Sequence, residues 1–265
     1  GLKILCRKAC EFESRPGHKN PARSLGVLFL QSMESNLPTH LAVIPDGNRR
    51  WAKARGLEPW LGHKHGADTL KEIVKDSVKA GIKYFTFWAM SEDNIAKRHP
   101  LEVKFLFKLI KNIFEEYEKD SFPHQNQIKI DFLGRWEELF PQDVKEVLSR
   151  IKEQTKNYSQ HFLTFLLAYD GRTEILQALH QLYQNNPAVK PTPDLVKKYL
   201  YTKDLPPVDL VIRTGGEPHW SCGFMMWDVA DSQLYFTQTL WPDFNKKELE
   251  TALSNYSQTQ RRLGA

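Results

Sequence analysis

The chain alternates short apolar runs with longer stretches in which apolar residues recur every three or four positions. The longer stretches are typical of helices with one buried face: Ala67–Ala80, Val103–Tyr117, Val144–Gln154, Glu174–Tyr183, Asp194–Tyr201 and Lys246–Arg262. The short runs are typical of buried strands: His40–Pro45, Tyr84–Ala89, Ile128–Leu133, Phe162–Tyr169, Val208–Arg213 and Leu234–Thr237. This alternation predicts an α/β fold, with a single doubly wound domain whose central, mostly parallel six-stranded sheet is flanked by helices.

The first part of the chain lacks this pattern. Residues 1–36 mix Arg, Gly, Pro and Ser without a sustained period, so we expect an unstructured leader there and a folded domain at 37–265. Two explanations of the leader are open. Because the chain begins with Gly1, Met33 could be the natural start and the preceding residues an artefact. The other explanation is a native flexible extension.

Charge and cysteine content narrow the class of protein. The net charge of +5 comes mostly from residues 1–32, and the remainder carries 31 basic and 30 acidic residues. The domain therefore shows no electrostatic signature of nucleic-acid binding. No apolar run is long enough to span a membrane. The three cysteines, Cys6, Cys10 and Cys222, form no CxxC pair, which indicates a reducing, cytoplasmic location.

Polar residues follow three of the predicted strands. They lie at 46–51 (DGNRRW), 91–94 (SEDN) and 213–217 (RTGGE). Because ligands of open parallel sheets bind beyond the carboxyl ends of the strands, these three segments are the candidate site. Gly47 permits a sharp turn into a helix whose first N–H groups can face an anion, and Arg49 and Arg50 suit phosphate oxygens. Asp46 is a hard oxygen ligand for magnesium. The alternative is that Asp46 and Asn48 only cap a helix and that both arginines are solvated.

The third strand end strengthens the phosphate hypothesis. Arg213 follows an apolar strand and precedes two glycines, so its guanidinium and the backbone could enclose a phosphate together. The chain contains neither GxxxxGK[ST] nor GxGxxG, which excludes the two commonest phosphate loops. His63, within GHKHG, could contact a phosphate, but its spacing favours a helix surface. Cys222 lacks an obvious basic activator, which argues against a catalytic thiol.

Taken together, these segments resemble the cis-prenyltransferase family, which includes the undecaprenyl diphosphate synthases. The similarity covers about residues 38–265, and its segments are HLAVIPDGNRRWAKARG (40–56), GHKHG (62–66), SEDN (91–94), DLVIRTGGE (209–217), QLYFTQTLWPDF (233–244) and RRLGA (261–265). The resemblance implies an isoprenyl transferase that condenses isopentenyl diphosphate onto an allylic diphosphate, such as farnesyl diphosphate, and forms a new cis double bond. It also implies Mg²⁺ as cofactor, a homodimer, a hydrophobic tunnel beneath the sheet, and peripheral membrane association through the lipid product.

The resemblance also assigns roles to residues. Asp46 matches the essential magnesium-associated aspartate, and Asn94 matches a residue linked to proton removal. The allylic diphosphate would lie against Gly47, Asn48, Arg49, Arg50, Trp51 and His63. The isopentenyl diphosphate pocket would include Arg213 and Ser221, completed by Arg262 and Gly264 of the C-terminal segment. We expect the other residues around SEDN to join substrate binding: Ser91, Glu92, Asp93, Lys97 and Arg98.

Four positions depart from the family pattern. His219 replaces an arginine in the substrate pocket, Gln233 replaces a metal-associated glutamate, Pro59 replaces an arginine, and Ile95 replaces an aromatic residue. We still expect His219 to bind substrate, and Gln233 is a doubtful metal ligand because it has lost the charge. The changes at His219, Gln233 and Pro59 motivate a rival hypothesis, a non-catalytic or weakly active subunit that supports a partner. The intact DGNRRW segment argues against that rival, because a pure scaffold has no physical need of it.

Overall fold

The centre of the protein is a sheet of six parallel strands. The computed structural model describes residues 36–259, and the strands within that range are β1 (His40–Ile44), β2 (Tyr84–Ser91), β3 (Ile128–Leu133), β4 (His161–Tyr169), β5 (Leu210–Arg213) and β6 (Gln233–Phe236). Their order in the sheet is β3-β4-β2-β1-β5-β6, and every neighbouring pair is parallel. The predicted α/β architecture is therefore confirmed, and the mostly parallel sheet is parallel throughout.

The described residues also form ten α-helices. These are α1 (Asn48–Ala54), α2 (Pro59–Lys79), α3 (Glu92–Lys97), α4 (Pro100–Tyr117), α5 (Ser121–Gln125), α6 (Trp136–Leu139), α7 (Gln142–Thr155), α8 (Gly171–Asn185), α9 (Pro193–Lys197) and α10 (Lys246–Gln258), with a 3₁₀ turn at Trp241–Asp243. None of these helices is long and apolar enough to cross a membrane. The predicted last helix was too long, because Thr259 already has extended backbone angles (φ −86°, ψ 121°).

Both faces of the sheet are covered by apolar side chains. One face packs against α2, α4, α7 and α10 through residues such as Ile73, Ile110 and Leu148. The other face packs against the segment after β5, where Phe224 is fully buried, and a smaller cluster joins α8 to α9. Burial on both faces explains why β1 and most of β4 read as continuous apolar runs.

The sheet places the first and third candidate segments side by side. In the pairing of β1 with β5, Ile44 lies opposite Arg213. Asp46 and Arg213 therefore emerge at the same edge although they are far apart in sequence. The second segment follows β2, the other neighbour of β1. Near its end β2 shifts register against β4 around Ala89, which is the mark of a β-bulge.

Candidate active site

A buried arginine organises the edge of the sheet. The Arg213 side chain is 3% exposed, and its Nη2 donates to Asp46 Oδ2 at 2.9 Å. Its Nη1 donates to the carbonyl of His219 at 2.9 Å and to Ser221 Oγ at 2.6 Å. A buried guanidinium needs such partners, because an unpaired charge away from water is strongly destabilising. Arg213 is consequently a fixed positive charge beside Asp46.

A second arginine lies on the opposite side of the same carboxylate. Arg50 Nη2 lies 3.2 Å from Asp46 Oδ1, and Arg50 Nη1 donates to the Gly215 carbonyl at 2.8 Å. Arg50 also forms an ion pair with Glu217 at 3.3 Å. Because Arg50 is about half exposed, it remains available to an incoming anion. Asp46 is thus held between one buried and one accessible guanidinium.

The backbone around Asp46 is fixed by long-range hydrogen bonds. Thr214 Oγ1 donates to the Asp46 carbonyl at 2.8 Å, and the Asp46 N–H donates back to the same hydroxyl at 2.9 Å. The Trp241 N–H donates to the Asp46 carbonyl at 3.0 Å. Gly47 then adopts φ 106°, and an added Cβ would lie 2.7 Å from a Leu240 methyl carbon. Only glycine fits this turn without strain.

A cluster of three basic side chains surrounds one buried carboxylate next to this group. Glu102 Oε1 lies 3.0 Å from Arg98 Nη1, 3.6 Å from His63 Nε2 and 3.8 Å from Arg49 Nε. Burial, followed by the charges of Arg98 and Arg49, lowers the pKa of His63 to about 3. His63 is therefore neutral at physiological pH, and Arg98 supplies the nearby positive charge. Reasoning from sequence assigned no role to Glu102, although a signal existed, since Glu102 falls on the buried stripe of α4.

The SEDN segment forms a capping box at the start of α3. The Asn94 N–H donates to Ser91 Oγ at 3.1 Å, and the Ser91 N–H donates to Asn94 Oδ1 at 3.3 Å. Lys97 is paired with Asp93 at 2.8 Å. This arrangement holds the Asn94 amide at the edge of the sheet, so its position is set by local backbone bonds.

Glu92, in the same segment, has different partners. Its Oε2 lies 3.4 Å from Arg135 Nη1 and accepts from Thr173 Oγ1 at 3.4 Å. Burial raises the pKa of the Glu92 carboxyl, and Arg135 opposes that effect. Glu92 therefore ties α3 to Arg135, which follows β3, and to the first turn of α8.

A cavity of about 1020 Å³ opens at this edge of the sheet. Its mouth is lined by polar residues, and thirteen of the candidates lie there: Asp46, Gly47, Asn48, Arg49, Arg50, His63, Ser91, Asp93, Asn94, Lys97, Arg98, Arg213 and Ser221. Its interior is apolar and runs between the sheet and helices α2 and α4, past Leu70, Phe87, Leu106, Leu109, Ile110, Ile113, Phe114, Phe165 and Trp241. The hydrophobic tunnel implied by the resemblance is present.

Two buried polar atoms at the mouth have unused hydrogen-bonding capacity. Neither Arg213 Nε nor Asn48 Oδ1 has a hydrogen-bond partner among the described residues. Such groups are costly unless a ligand or water satisfies them. The mouth is therefore suited to a strongly polar ligand, and the interior to an apolar one.

Several candidates lie outside the cavity lining. Trp51 is buried against α2 and the 3₁₀ turn, where its Nε1 donates to Asp243 Oδ1 at 2.7 Å and its ring lies 4.7 Å from that of His65. His219 is 54% exposed, and its Nε2 lies 3.0 Å from Ser221 Oγ. Glu92 faces Arg135, as described. Two further candidates, Arg262 and Gly264, lie outside the described residues.

Gln233 begins β6 and pairs with Leu210, three residues before Arg213. At about 3.3 Å per residue, it lies roughly 10 Å back along the strands from the edge that carries Asp46. A single chain therefore does not bring the Gln233 amide to Asp46, and the geometry lends the doubtful metal assignment no support.

At the cavity mouth, Asp46 offers a metal a single carboxylate rather than a closed cage of ligands. Among residues 36–259 no cluster of three His, Cys, Asp or Glu side chains could hold a metal ion. Asp46 is a hard oxygen ligand flanked by Arg50 and Arg213. The other carboxylates that line the cavity, Asp93 and Glu102, are paired with Lys97 and Arg98. Magnesium is commonly bound by one or two carboxylates together with the phosphate oxygens of a substrate, and Asp46 fits that arrangement.

Comparisons with known proteins agree with this geometry. The family model described as "Putative undecaprenyl diphosphate synthase" matches residues 44–264. A tritrans,polycis-undecaprenyl-diphosphate synthase (geranylgeranyl-diphosphate specific) of Methanopyrus kandleri is 34% identical over 98% of this chain and 96% of its own. An isoprenyl transferase of Thermotoga maritima is 39% identical over 86% of this chain and 97% of its own. Among solved structures, lavandulyl diphosphate synthase from Lavandula x intermedia, in complex with dimethylallyl diphosphate, aligns with a TM-score of 0.81 at 28% identity, covering 86% of this chain and 99% of that one. The family model matches most of the chain, and the relatives and the solved structure share its sequence and fold over a similar extent. The chain therefore belongs to the undecaprenyl diphosphate synthase family of prenyltransferases.

Proposed function

We propose that this chain condenses isopentenyl diphosphate onto an allylic diphosphate, such as farnesyl diphosphate, to give a cis-polyprenyl diphosphate. The observation that carries the proposal is the cavity, whose cationic mouth around Asp46 and Arg213 leads into an apolar interior. An isoprenoid diphosphate matches this cavity, because its head is charged and its tail is apolar. The relatives are named as enzymes of this chemistry, which gives the rival, non-catalytic hypothesis no support.

Each group at the mouth has a distinct part in this reaction. Arg49, Arg50 and Arg98 would bind the diphosphate of the allylic substrate and stabilise the charge that develops as the carbon–oxygen bond breaks. Arg213 and Ser221, which already contact one another, would bind the second diphosphate. Magnesium, held by Asp46 and the diphosphate oxygens, would supply further neutralisation of the leaving group.

The apolar interior has two roles in the condensation. It excludes water from the allylic cation, which would otherwise be hydrolysed, and it takes up the growing chain. The isopentenyl double bond attacks the cation, a new carbon–carbon bond forms, and one proton leaves. Asn94 is a poor base, so we assign it the role of orienting a water molecule or a phosphate oxygen that accepts this proton.

We further propose that two copies associate through the open edge of β6. This strand ends the sheet, and its Leu234 and Phe236 side chains are 46% and 38% exposed. An exposed apolar edge strand favours pairing with another chain. Sedimentation of the natural chain and of Leu234→Lys tests this proposal, which fails if both proteins sediment as the same monomer. The cytoplasmic location stays a prediction.

The test of function is turnover of radiolabelled isopentenyl diphosphate with farnesyl diphosphate by the purified chain, with and without magnesium. We expect extraction of labelled polyprenyl product only when magnesium is present, and the mass of the product gives the chain length. A folded chain that gives no product with any allylic diphosphate would refute the proposal and favour the hypothesis of a non-catalytic subunit.

A further inference from the structure

The second diphosphate pocket is completed by a segment that lies between β5 and β6. Within this segment, residues 219–225, the Ser221 hydroxyl accepts a hydrogen bond from Arg213 Nη1 at 2.6 Å. Cys222 and Met225 have φ values of 45° and 42°, in the left-handed region that residues other than glycine rarely adopt. A backbone of this kind persists only where its surroundings hold it. The position of Ser221 therefore depends on what the segment packs against.

A buried tyrosine of β4 holds the end of this segment. The Met225 N–H donates to the Tyr169 hydroxyl at 3.2 Å, and that hydroxyl donates in turn to Glu174 Oε2 at 2.5 Å. The other carboxylate oxygen of Glu174 accepts from the Thr202 N–H at 3.1 Å. Tyr169 and Glu174 are 0% and 2% exposed, so water does not compete for these bonds. The hydroxyl is thus fixed by Glu174 on one side and holds the segment on the other.

A bulge in β4 turns Tyr169 towards this segment. In the pairing of β4 with β2, Ala168 is an extra residue with φ 49°, because its neighbours on both sides pair with consecutive residues, Met90 and Ser91. Leu167 and Ala168 both pack on the face of the sheet that carries the cavity, and Tyr169 packs on the other face. Without the extra residue, side chains would alternate regularly and Tyr169 would point to the cavity side. The bulge is therefore what brings the hydroxyl to the segment.

The first turn of α8 holds the middle of the same segment. The Gly171 N–H donates to the Cys222 carbonyl at 2.9 Å. A Cβ added at Gly171 would lie 1.8 Å from the Gly223 carbonyl oxygen, so only glycine allows the two backbones to approach so closely. The segment is therefore seated on the turn from β4 into α8, and Tyr169 contributes a side-chain bond to this seat.

We propose that Tyr169, supported by Glu174, is a positioning residue of the second diphosphate pocket. Neither residue lines the cavity, so neither touches a substrate there. The Tyr169 hydroxyl instead holds the segment in the conformation that places Ser221 on Arg213. The identity of the ligand, isopentenyl diphosphate, rests on the proposed function, whereas the hydrogen bonds that carry this inference do not. Loosening the segment should therefore weaken the second diphosphate pocket and leave the allylic site, which other elements build, unchanged.

The experiment compares Tyr169→Phe, which keeps the buried ring and removes the hydroxyl, with the natural chain. We expect the KM for isopentenyl diphosphate to rise at least about tenfold, because a misplaced binding group costs affinity steeply. The KM for farnesyl diphosphate and kcat should change by less than about threefold. Amide hydrogen exchange of residues 219–226, measured by mass spectrometry without substrate, should become faster, because the Met225 N–H loses its acceptor.

A binding measurement that needs no turnover accompanies these assays. Isopentenyl diphosphate is titrated calorimetrically onto the chain saturated with magnesium and farnesyl thiodiphosphate, an allylic analogue whose carbon–sulfur bond is cleaved far more slowly. We expect at least about tenfold weaker binding by Tyr169→Phe. Glu174→Gln disturbs the same hydroxyl from its other side and should act in the same direction. It replaces Tyr169→Phe in every assay if that variant does not fold.

Thr155→Val is the matched control. Thr155 is 2% exposed, and its hydroxyl accepts from the Ile130 N–H at 3.0 Å and donates to the Ile151 carbonyl at 2.9 Å. The control therefore also removes a buried hydroxyl that bonds to the backbone, but in α7, on the opposite face of the sheet. It should lose a similar amount of stability and keep both KM values and the natural exchange rate of residues 219–226.

The proposal is overturned by an unchanged exchange rate in Tyr169→Phe, by an equal rise of both KM values, or by an equal effect of the control on the KM for isopentenyl diphosphate. A natural chain that binds isopentenyl diphosphate but forms no product would refute the proposed function alone, and the titration would then decide the positioning role. A natural chain that shows neither binding nor product would refute both.

Discussion

Replacing Asp46 by asparagine separates the role of this carboxylate in the reaction from its role in the fold. The substitution keeps the shape of the side chain and removes one negative charge between Arg213 and Arg50, which lie 2.9 and 3.2 Å away. Asparagine would still accept a hydrogen bond from Arg213 through its carbonyl oxygen. It would be a much weaker ligand for a divalent cation.

The two effects differ in size. Because the Asp46 side chain is about one-third exposed, solvent screens its ion pairs, and their loss should lower the free energy of unfolding by only about 1 kcal/mol. Arg213 also keeps its bonds to Ser221 and to the His219 carbonyl. The loss of charge stabilisation in the transition state should be about 4 kcal/mol, which corresponds to a roughly thousandfold decrease in kcat.

The assay pairs single-turnover kinetics, using farnesyl diphosphate and labelled isopentenyl diphosphate, with urea unfolding of the same samples. The matched control is Asp243→Asn. Asp243 also accepts a hydrogen bond and forms an ion pair, with Trp51 and Arg55, but it lies outside the cavity lining. We expect Asp243→Asn to lose about 1 kcal/mol of stability as well and to keep kcat within about threefold. A folded Asp46→Asn protein with more than about a tenth of natural turnover would remove Asp46 from the mechanism.

Three further predictions concern buried groups. Burial holds the pKa of His63 at about 3, so below pH 6.5 the unfolded chain binds a proton at His63 that the folded chain does not. Urea unfolding at pH 7 and pH 5 should show that His63→Gln reduces the acid-induced loss of stability by about 2 kcal/mol. An equal loss of stability in the natural chain and the variant would contradict this. Lys197→Met leaves the buried carboxylate of Asp228 without its cation and should lower the free energy of unfolding by about 3 kcal/mol, whereas a loss under about 1 kcal/mol would mean that water reaches this carboxylate. Gly62→Ala puts a Cβ 2.0 Å from the Asn48 carbonyl oxygen and should lower the melting temperature by several degrees, with no change expected if α1 can move away freely.

The strands were predictable from sequence because their burial is nearly continuous. Ile128–Leu133 has the predicted bounds, and the other predicted strands differ from the observed ones by one or two residues at one or both ends. Helix α2 was predicted from Ala67 but begins at Pro59. Gly62 and Gly66 interrupt the apolar pattern. Glycine is needed at both positions because α1 lies close to α2, and an added Cβ atom at either position would contact Asn48. Sequence spacing cannot report such a contact between two helices.

The candidate site was predictable where residues follow a strand directly, as Asp46 and Arg213 do. Side chains whose partners are distant in sequence were harder to assign. Trp51 belongs to a conspicuous motif, yet its indole bonds to Asp243, 192 residues away, and stays outside the cavity lining. Glu102 was missed although its place on the buried stripe of α4 was a signal, because a lone acidic residue in a helix does not show which basic side chains approach it. Arg98 lies four residues before it, but Arg49 and His63 come from α1 and α2.

The strand order has a consequence for how the protein is made. β1 is central in the sheet, but its neighbour β5 is formed from residues that follow it by a long interval, since Asp46 and Arg213 are separated by 167 positions. At a synthesis rate of roughly 5–20 residues per second, that interval lasts roughly ten to thirty seconds. During this time one side of β1, a strand whose five residues are all buried in the finished protein, lacks its partner on the ribosome. The nascent chain is therefore most prone to misassociate just before the residues that complete its active site emerge.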